Sequence, residues 1–301
     1  MMCMKAIQFY IVCLLPVLAG CADDTALPSV PEGTPLTVTA EIGVPDAAQT
    51  VAPTRVVAAD NGYDRSTFVT ADRIRIIRTR GGSSSAPVDY TLSATGEWTP
   101  SAAGSELLFE SGATYQAMYP ADYSGIYADQ RNKTGGVDGE NYRNSNLLRT
   151  SAGVTSGATG VLSFTGGENA FVHRNTKLTL TFEGKNALTQ PFAYMTVQGQ
   201  GLYSGGTADE DIYLYRPDET KYTWHGILSP LTAESPTPEQ KKVTVTVTDY
   251  NGVSYTASLT CERKAGSHYS YTLTLQNNIL MPVGEEIKGW ENGESHTGSL
   301  T

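Results

Sequence analysis

Histidine, cysteine and clustered charge are all scarce in this sequence, and each shortage narrows what the chain does. The four histidines, His173, His225, His268 and His296, are widely spaced. None stands in a nucleophile context such as Gly-x-Ser-x-Gly, so no residue announces itself as the base of a hydrolytic triad. Four cysteines, Cys3, Cys13, Cys21 and Cys261, lack the paired spacing of a structural zinc site. Charged residues make up 17% of the chain and the balance is acidic, with a formal charge of −10. A chain of that sign has no basic patch, so nucleic acid is excluded as a partner. Long amphipathic helices are also missing. Gly199-Gln200-Gly201-Leu202-Tyr203-Ser204 lacks the last glycine of a dinucleotide loop and reads as a turn. Asp209-Glu210-Asp211 offers oxygen ligands for a hard cation without the rest of an EF-hand pattern, and reads as a solvated acidic loop. No catalytic residue, metal or cofactor is expected, and the chain reads as a protein that is not an enzyme.

What the sequence has instead is period two. Apolar and polar residues alternate through Leu36–Val44, Arg73–Ile76, Val88–Leu92, Lys177–Phe182 and Tyr269–Leu275, the mark of half-buried strands. Val243–Thr248 and Val253–Leu259 flank Asp249-Tyr250-Asn251-Gly252, where Asn-Gly tolerates positive φ at both central positions of a tight hairpin. Clean alternation of this kind predicts antiparallel sheet with one face on a core. Gly81–Ser85 and Ser151–Gly160 read as loops. A division near residue 165 separates two β-sandwiches in series, 35–165 and 166–301. His173 and His268 flank strand starts and are expected at the surface or rim, and the tyrosines between Tyr115 and Tyr142 could form a sugar-stacking surface, although tyrosines at strand positions are more often core or rim.

The N-terminus reads as a secretory signal over residues 1–20: Lys5, an apolar run from Ala6, and small residues before Cys21. That run falls short of the ~20 residues a bilayer-spanning helix needs. Leu18-Ala19-Gly20-Cys21 resembles a bacterial lipobox, which makes Cys21 the lipidated first residue of the mature chain. Residues 21–34, with Asp23 and Asp24 and a Pro/Thr/Gly-rich run, read as its tether. Loss of Lys5 moves the formal charge to −11. Cys261 is then the one thiol left without lipid, so no intrachain disulfide forms, and its alternating surroundings predict a small buried hydrophobe.

The order of several short motifs carries a resemblance over nearly the whole chain. The lipobox and first strand precede Thr54-Arg55, then Asp72-Arg73-Ile74-Arg75-Ile76, the Gly96-Glu97-Trp98 turn and Gly112-Ala113-Thr114-Tyr115-Gln116-Ala117-Met118-Tyr119-Pro120. Phe171-Val172-His173-Arg174, Tyr269–Leu275 and Ile287-Lys288-Gly289-Trp290 follow. This resembles the fimbrillin-like family, the subunits of type V pili of anaerobic gut and oral bacteria. The resemblance implies two transthyretin-like β-sandwich domains, no enzymatic activity, and a lipid-anchored precursor at the outer membrane and cell surface. It implies other pilus subunits and an arginine-directed maturation protease as partners. The protease would cut after Arg55, with Arg65 as the second candidate. The first strand would depart, and a neighbour's C-terminal strand would fill its place. The candidate donor lies in the tail 278–301, at Ile279, Met281, Val283, Ile287 and Trp290, and these residues read equally well as the last strands of their own domain. A surface glycan-binding lipoprotein of a nutrient-uptake system is the alternative function.

Overall fold

A computed structural model describes residues 30–43, 67–131, 139–151, 153–157, 159–183, 192–217, 222–290 and 296–298. Strands dominate it, as the alternation requires. Nine of them, β1 (Thr37–Ala40), β2 (Arg73–Arg80), β3 (Ser83–Ser84), β4 (Val88–Leu92), β5 (Trp98–Pro100), β6 (Thr114–Tyr119), β7 (Leu148–Thr150), β8 (Val161–Phe164) and β9 (Phe171–His173), form one sheet. Its order is β8-β1-β5-β4-β2-β6-β7-β9, with β3 on β2. Ile74, Ile76, Tyr90, Tyr115, Ala117, Leu162, Phe164 and Phe171 fill the core against which it curls. The division expected at 165 falls between β8 and β9, which both belong to this sheet.

The remaining strands are β10 (Thr176–Phe182), β11 (Phe192–Gln200), β12 (Asp209–Tyr213), β13 (Thr223–Leu228), β14 (Lys242–Asp249), β15 (Ser254–Thr260), β16 (Ser267–Gln276), β17 (Ile279–Gly289) and β18 (His296–Gly298). They form a five-stranded sheet, β13-β10-β16-β17-β18, facing a four-stranded one, β12-β11-β14-β15. Leu178, Leu180, Trp224, Met195, Val197, Val243, Val245, Val247 and Leu273 interdigitate between them. Antiparallel ladders predominate, but β1–β8 and β10–β16 are parallel. Both pairs are far apart in sequence, which gives the chain room for the crossover that a parallel pair requires.

Among the described residues two short α-helices interrupt the strands. Glu140–Asn144 (α1) lies between β6 and β7. Pro238–Lys241 (α2) starts with Thr237 accepting from the Gln240 N–H while the Gln240 side chain reaches back. That is the Thr-x-x-Gln capping box.

The hairpin expected at Asp249–Gly252 forms, pairing β14 with β15 from Thr248↔Ser254, but only Gly252 has positive φ there and Asn251 does not. The Asp249 carboxylate accepts from the Asn251 and Val253 N–H groups, 2.8 and 2.9 Å, so the side chain holds a longer loop. The two-residue turn with positive φ at both positions is Asn277-Asn278, 51° and 63°, between β16 and β17. Asparagine tolerates this region, and the right-handed strand twist favours such turns. β17 is accordingly one continuous strand across Gly284, with a bulge near Val283.

The segment between β6 and β7 laps onto the C-terminal sheets. The buried Gln130 amide donates to the Ile227 carbonyl (2.7 Å) and accepts from the Ile227 N–H (2.8 Å). Its own N–H donates to the Tyr213 carbonyl. One side chain thus satisfies edge groups that would otherwise be buried without partners.

Candidate functional site: the first and last long strands

Period two sends Leu36 and Val38 into the core of the nine-stranded sheet, with Ala40 and Ile42 packed at its margin. The backbone of this stretch is held on both sides. Thr37–Ala40 pairs in register with Val161–Phe164 of β8, and Val38 sits opposite Trp98 of β5. Upstream, the Leu36 N–H donates to the Leu107 carbonyl and the Phe109 N–H to that of Thr34, 2.8 and 2.7 Å. Downstream, Glu41 donates to Phe164, Phe171 donates to Glu41, and Gly43 donates to Phe171 at 2.8 Å. β1 is therefore an interior strand. A Cβ at Gly43 would stand 2.5 Å from that of Ala170, so close backbone approach demands glycine there.

The described chain leaves this groove at Gly43 and resumes at Thr67. Phe68 then packs edge-on against Trp98, Tyr119 and Phe171, with centroids 5.2, 5.4 and 5.1 Å apart. The chain that follows the connection is thus anchored by three aromatic rings. Cys21, Arg55 and Arg65 lie outside the described residues.

β17 is built differently. It pairs with β16 from Gln276↔Ile279 to Ser267↔Gly289, while on its other edge, among the described residues, β18 meets it at Glu285–Ile287. Leu280 is buried, Ile287 packs against the core, and Met281 is half-buried. Ile279 and Val283 are 60% and 55% exposed. Trp290, just past the strand, is 1% exposed and clusters with Tyr142, Tyr215 and Ile227.

The His173 ring stacks on Trp290 at 4.0 Å and 7°. The expectation that His173 lies at the surface or rim is thus corrected: it is 2% exposed and its Nδ1 meets Asn146 Oδ1. Only the fold brings β9 and the end of β17 together, so no local pattern reveals this. His268 is half-buried, and the Thr179 hydroxyl lies between its Nε2 (2.7 Å) and His225 Nδ1 (2.9 Å).

Other side chains turn inward for physical reasons. Tyr115, Tyr119 and Tyr142 are buried, so their rings form no sugar-stacking platform. Asp209-Glu210-Asp211 opens β12 and is not a solvated loop. Glu210 is buried, and although burial alone pushes its carboxyl up, hydrogen bonds from Ser204 and from the Tyr203 and Ser204 N–H groups outweigh that and hold it below the usual range.

Arg263, absent from any sequence pattern, is a buried cation. Its guanidinium donates to the carbonyls of Gly201, Ser229, Gln200 and Gln240. Burial pushes its pKa down. Cys261 is fully buried, as its alternating stretch predicts, and burial pushes the thiol up to about 12. The Tyr271 hydroxyl ties three strands together, donating to the Thr260 carbonyl (2.6 Å) and standing 3.0 Å from the Glu285 carboxyl. Among the described residues, no group of three His, Cys, Asp or Glu side chains gathers as a metal site.

Solved structures share this overall fold. A candidate cell adhesion protein of Bacteroides ovatus superposes with a TM-score of 0.55 at 19% identity, covering 87% of this chain and 99% of its own. One from Bacteroides uniformis gives 0.54 at 17%, covering 86% and 98%. One from Bacteroides fragilis gives 0.50 at 11%, covering 89% and 98%. None of the curated proteins matches the sequence. The fimbrillin-like family model matches residues 54–290, most of the chain and nearly every strand after the first. The chain belongs to the fimbrillin-like family.

Proposed function

We propose that this chain is a structural or tip subunit of a cell-surface type V pilus, exported as a lipoprotein through Cys21 and assembled by strand exchange after cleavage at Arg55. It acts by binding copies or relatives of itself and is not an enzyme. Two sandwich units in series, the first built on the nine-stranded sheet, belong to the same reading. Its partners are the other pilus subunits and an arginine-directed protease, with a lipid anchor in the outer membrane before trimming.

The observation that carries this reading is the interior position of β1. A strand bonded on both sides cannot leave without opening a groove with two unpaired edges, and such edges recruit new strands. Burial of Leu36 and Val38 contributes about 1.5–3 kcal/mol each, so roughly 3–6 kcal/mol is forfeited when β1 departs. Against a domain stability of about 5–15 kcal/mol, that is a strong drive to accept a replacement.

The tail from Asn278 supplies the candidate replacement, with Ile279, Met281, Val283, Ile287 and Trp290 as its apolar residues. To donate itself, β17 has to leave β16 and uncover Leu280 and Trp290, so exchange proceeds only where a vacated groove compensates.

Replacing the arginines tests this. Arg55→Ala should leave surface-exposed monomer with no heat-resistant ladders, while Arg65→Ala should polymerise normally. Normal ladders from the Arg55→Ala/Arg65→Ala double variant would reject cleavage-triggered exchange.

A further inference from the structure

We propose that residues Ile279–Gly284 of one copy dock in the groove of the next in one register, with Ile279, Met281, Val283 and Gly284 taking the places of Val38, Ala40, Ile42 and Gly43. The inference rests on the strand-exchange reading and adds which residues enter and what selects them.

The first support is spacing. Val38-Thr39-Ala40-Glu41-Ile42-Gly43 and Ile279-Leu280-Met281-Pro282-Val283-Gly284 both place apolar residues at their first, third and fifth positions and glycine at the sixth. Alternate residues share one face of a strand, and a slip by one would turn that face outward. The second is what β17 leaves open at home. Ile279 and Val283, on the matching face, are 60% and 55% exposed. Among the described residues no strand pairs with the outer edge of Ile279–Gly284, because the pairing with β18 starts at Glu285. An open edge bearing apolar side chains is a template for pairing.

The third support is the glycine. Neither Gly43 nor Gly284 has a positive φ, so backbone conformation requires glycine at neither. At Gly43 the demand is steric, because an added Cβ would lie 2.5 Å from the Ala170 Cβ. At Gly284 an added Cβ would meet nothing nearer than Thr272 Cβ at 3.7 Å, an ordinary contact. Glycine in a strand interior marks a bulge or a place of close approach. At home Gly284 follows the bulge at Val283, and in the β1 groove the same residue would meet the close approach of Ala170. Ala170 thus acts as a size filter on the sixth residue of any incoming strand. One bond is lost in this register: Pro282 stands where the Glu41 N–H donates to Phe164 at 3.1 Å, while its carbonyl still accepts from Phe171.

Synthetic peptides offered to the full chain cut after Arg55 test the register. The probes are Thr34–Gly43, Asn277–Glu286, and Asn277–Glu286 carrying Gly284→Val, read by displacement of a labelled Thr34–Gly43 peptide. The first two should bind. The Gly284→Val peptide should bind at least about tenfold more weakly, as overpacking of a tight contact predicts. Cut chain carrying Ala170→Gly should restore most of that loss. If Thr34–Gly43 fails to bind, no refillable groove exists and the exchange reading itself falls. If it binds but Asn277–Glu286 does not, or if Gly284→Val binds as well as the parent, the register falls while exchange stands.

Discussion

β1 and β17 carry the same apolar spacing and end it with the same residue, yet they are held in opposite ways. β1 is interior, paired to β8 and β5 and closed at its end by Phe171. β17 is anchored at its far end by Trp290 and paired along one side, and the other side of its first half is open among the described residues. The same pattern is therefore saturated in one place and available in the other. The proposed strand exchange would use this asymmetry: a groove costly to leave empty, and a strand with an open apolar face.

Truncation should have the largest effect and bears on how firmly β17 is seated. Deleting 278–301 removes Leu280, Ile287 and Trp290 from apolar contacts, a loss of about 1.5–3 kcal/mol for each fully buried side chain. Thermal melting should fall sharply or give way to aggregation. An unchanged cooperative melt would mean that β17 contributes little to its own sheet.

Paired substitutions sharpen the contrast. Val38→Ala should cost the uncut monomer about 2 kcal/mol, because Val38 is 3% exposed and truncating a buried side chain loses its transfer energy. Val283→Ala should change monomer stability by no more than about 0.5 kcal/mol yet weaken polymer formation. Urea melts of both monomers, beside ladder assays, decide it. Equal costs in the monomer would erase the distinction between the strands.

The glycines give a smaller effect of the same kind. Gly43→Ala meets Ala170 and should cost about 1–3 kcal/mol. Gly284→Ala, with ordinary space around it, should be neutral or raise stability by up to about 1 kcal/mol. Chemical denaturation of the two variants reads the difference, and equal destabilisation would contradict the steric account.

Much of this is legible in the residues themselves. Alternation locates β1, β2, β4, β10, β14, β15 and β16, since a face buried against a core needs every second residue apolar. Non-local events are hidden. β10 alternates as if half-buried, but Lys177 and Thr179 on its outer face are also covered. The His173–Trp290 stack and the Gln130 clasp join residues that share no local pattern. The hairpin signal points to Asn251-Gly252, while the two-residue turn lies at Asn277-Asn278, because Asp249 satisfies its own loop from the side chain. The α2 capping box Thr237-Pro238-Glu239-Gln240 is visible in principle.

The smallest expected effect is a pH dependence in the N-terminal sheet. Arg75, with Arg73 beside it, holds the Asp89 carboxyl below its usual range. A lowered folded pKa contributes stability above the carboxylate's unfolded value, and that stability is lost as pH falls through the folded one. Asp89→Asn should therefore cost about 1 kcal/mol or less at neutral pH and flatten the acid limb of the stability curve. An unchanged acid limb would mean the pair adds nothing.

The first residue of the subunit recovered from native surface polymer tests the central claim most directly. N-terminal sequencing or intact mass should find Val56, with Cys21 and its lipid gone. Polymer whose subunits still begin at a lipidated Cys21 would contradict exchange of the first strand.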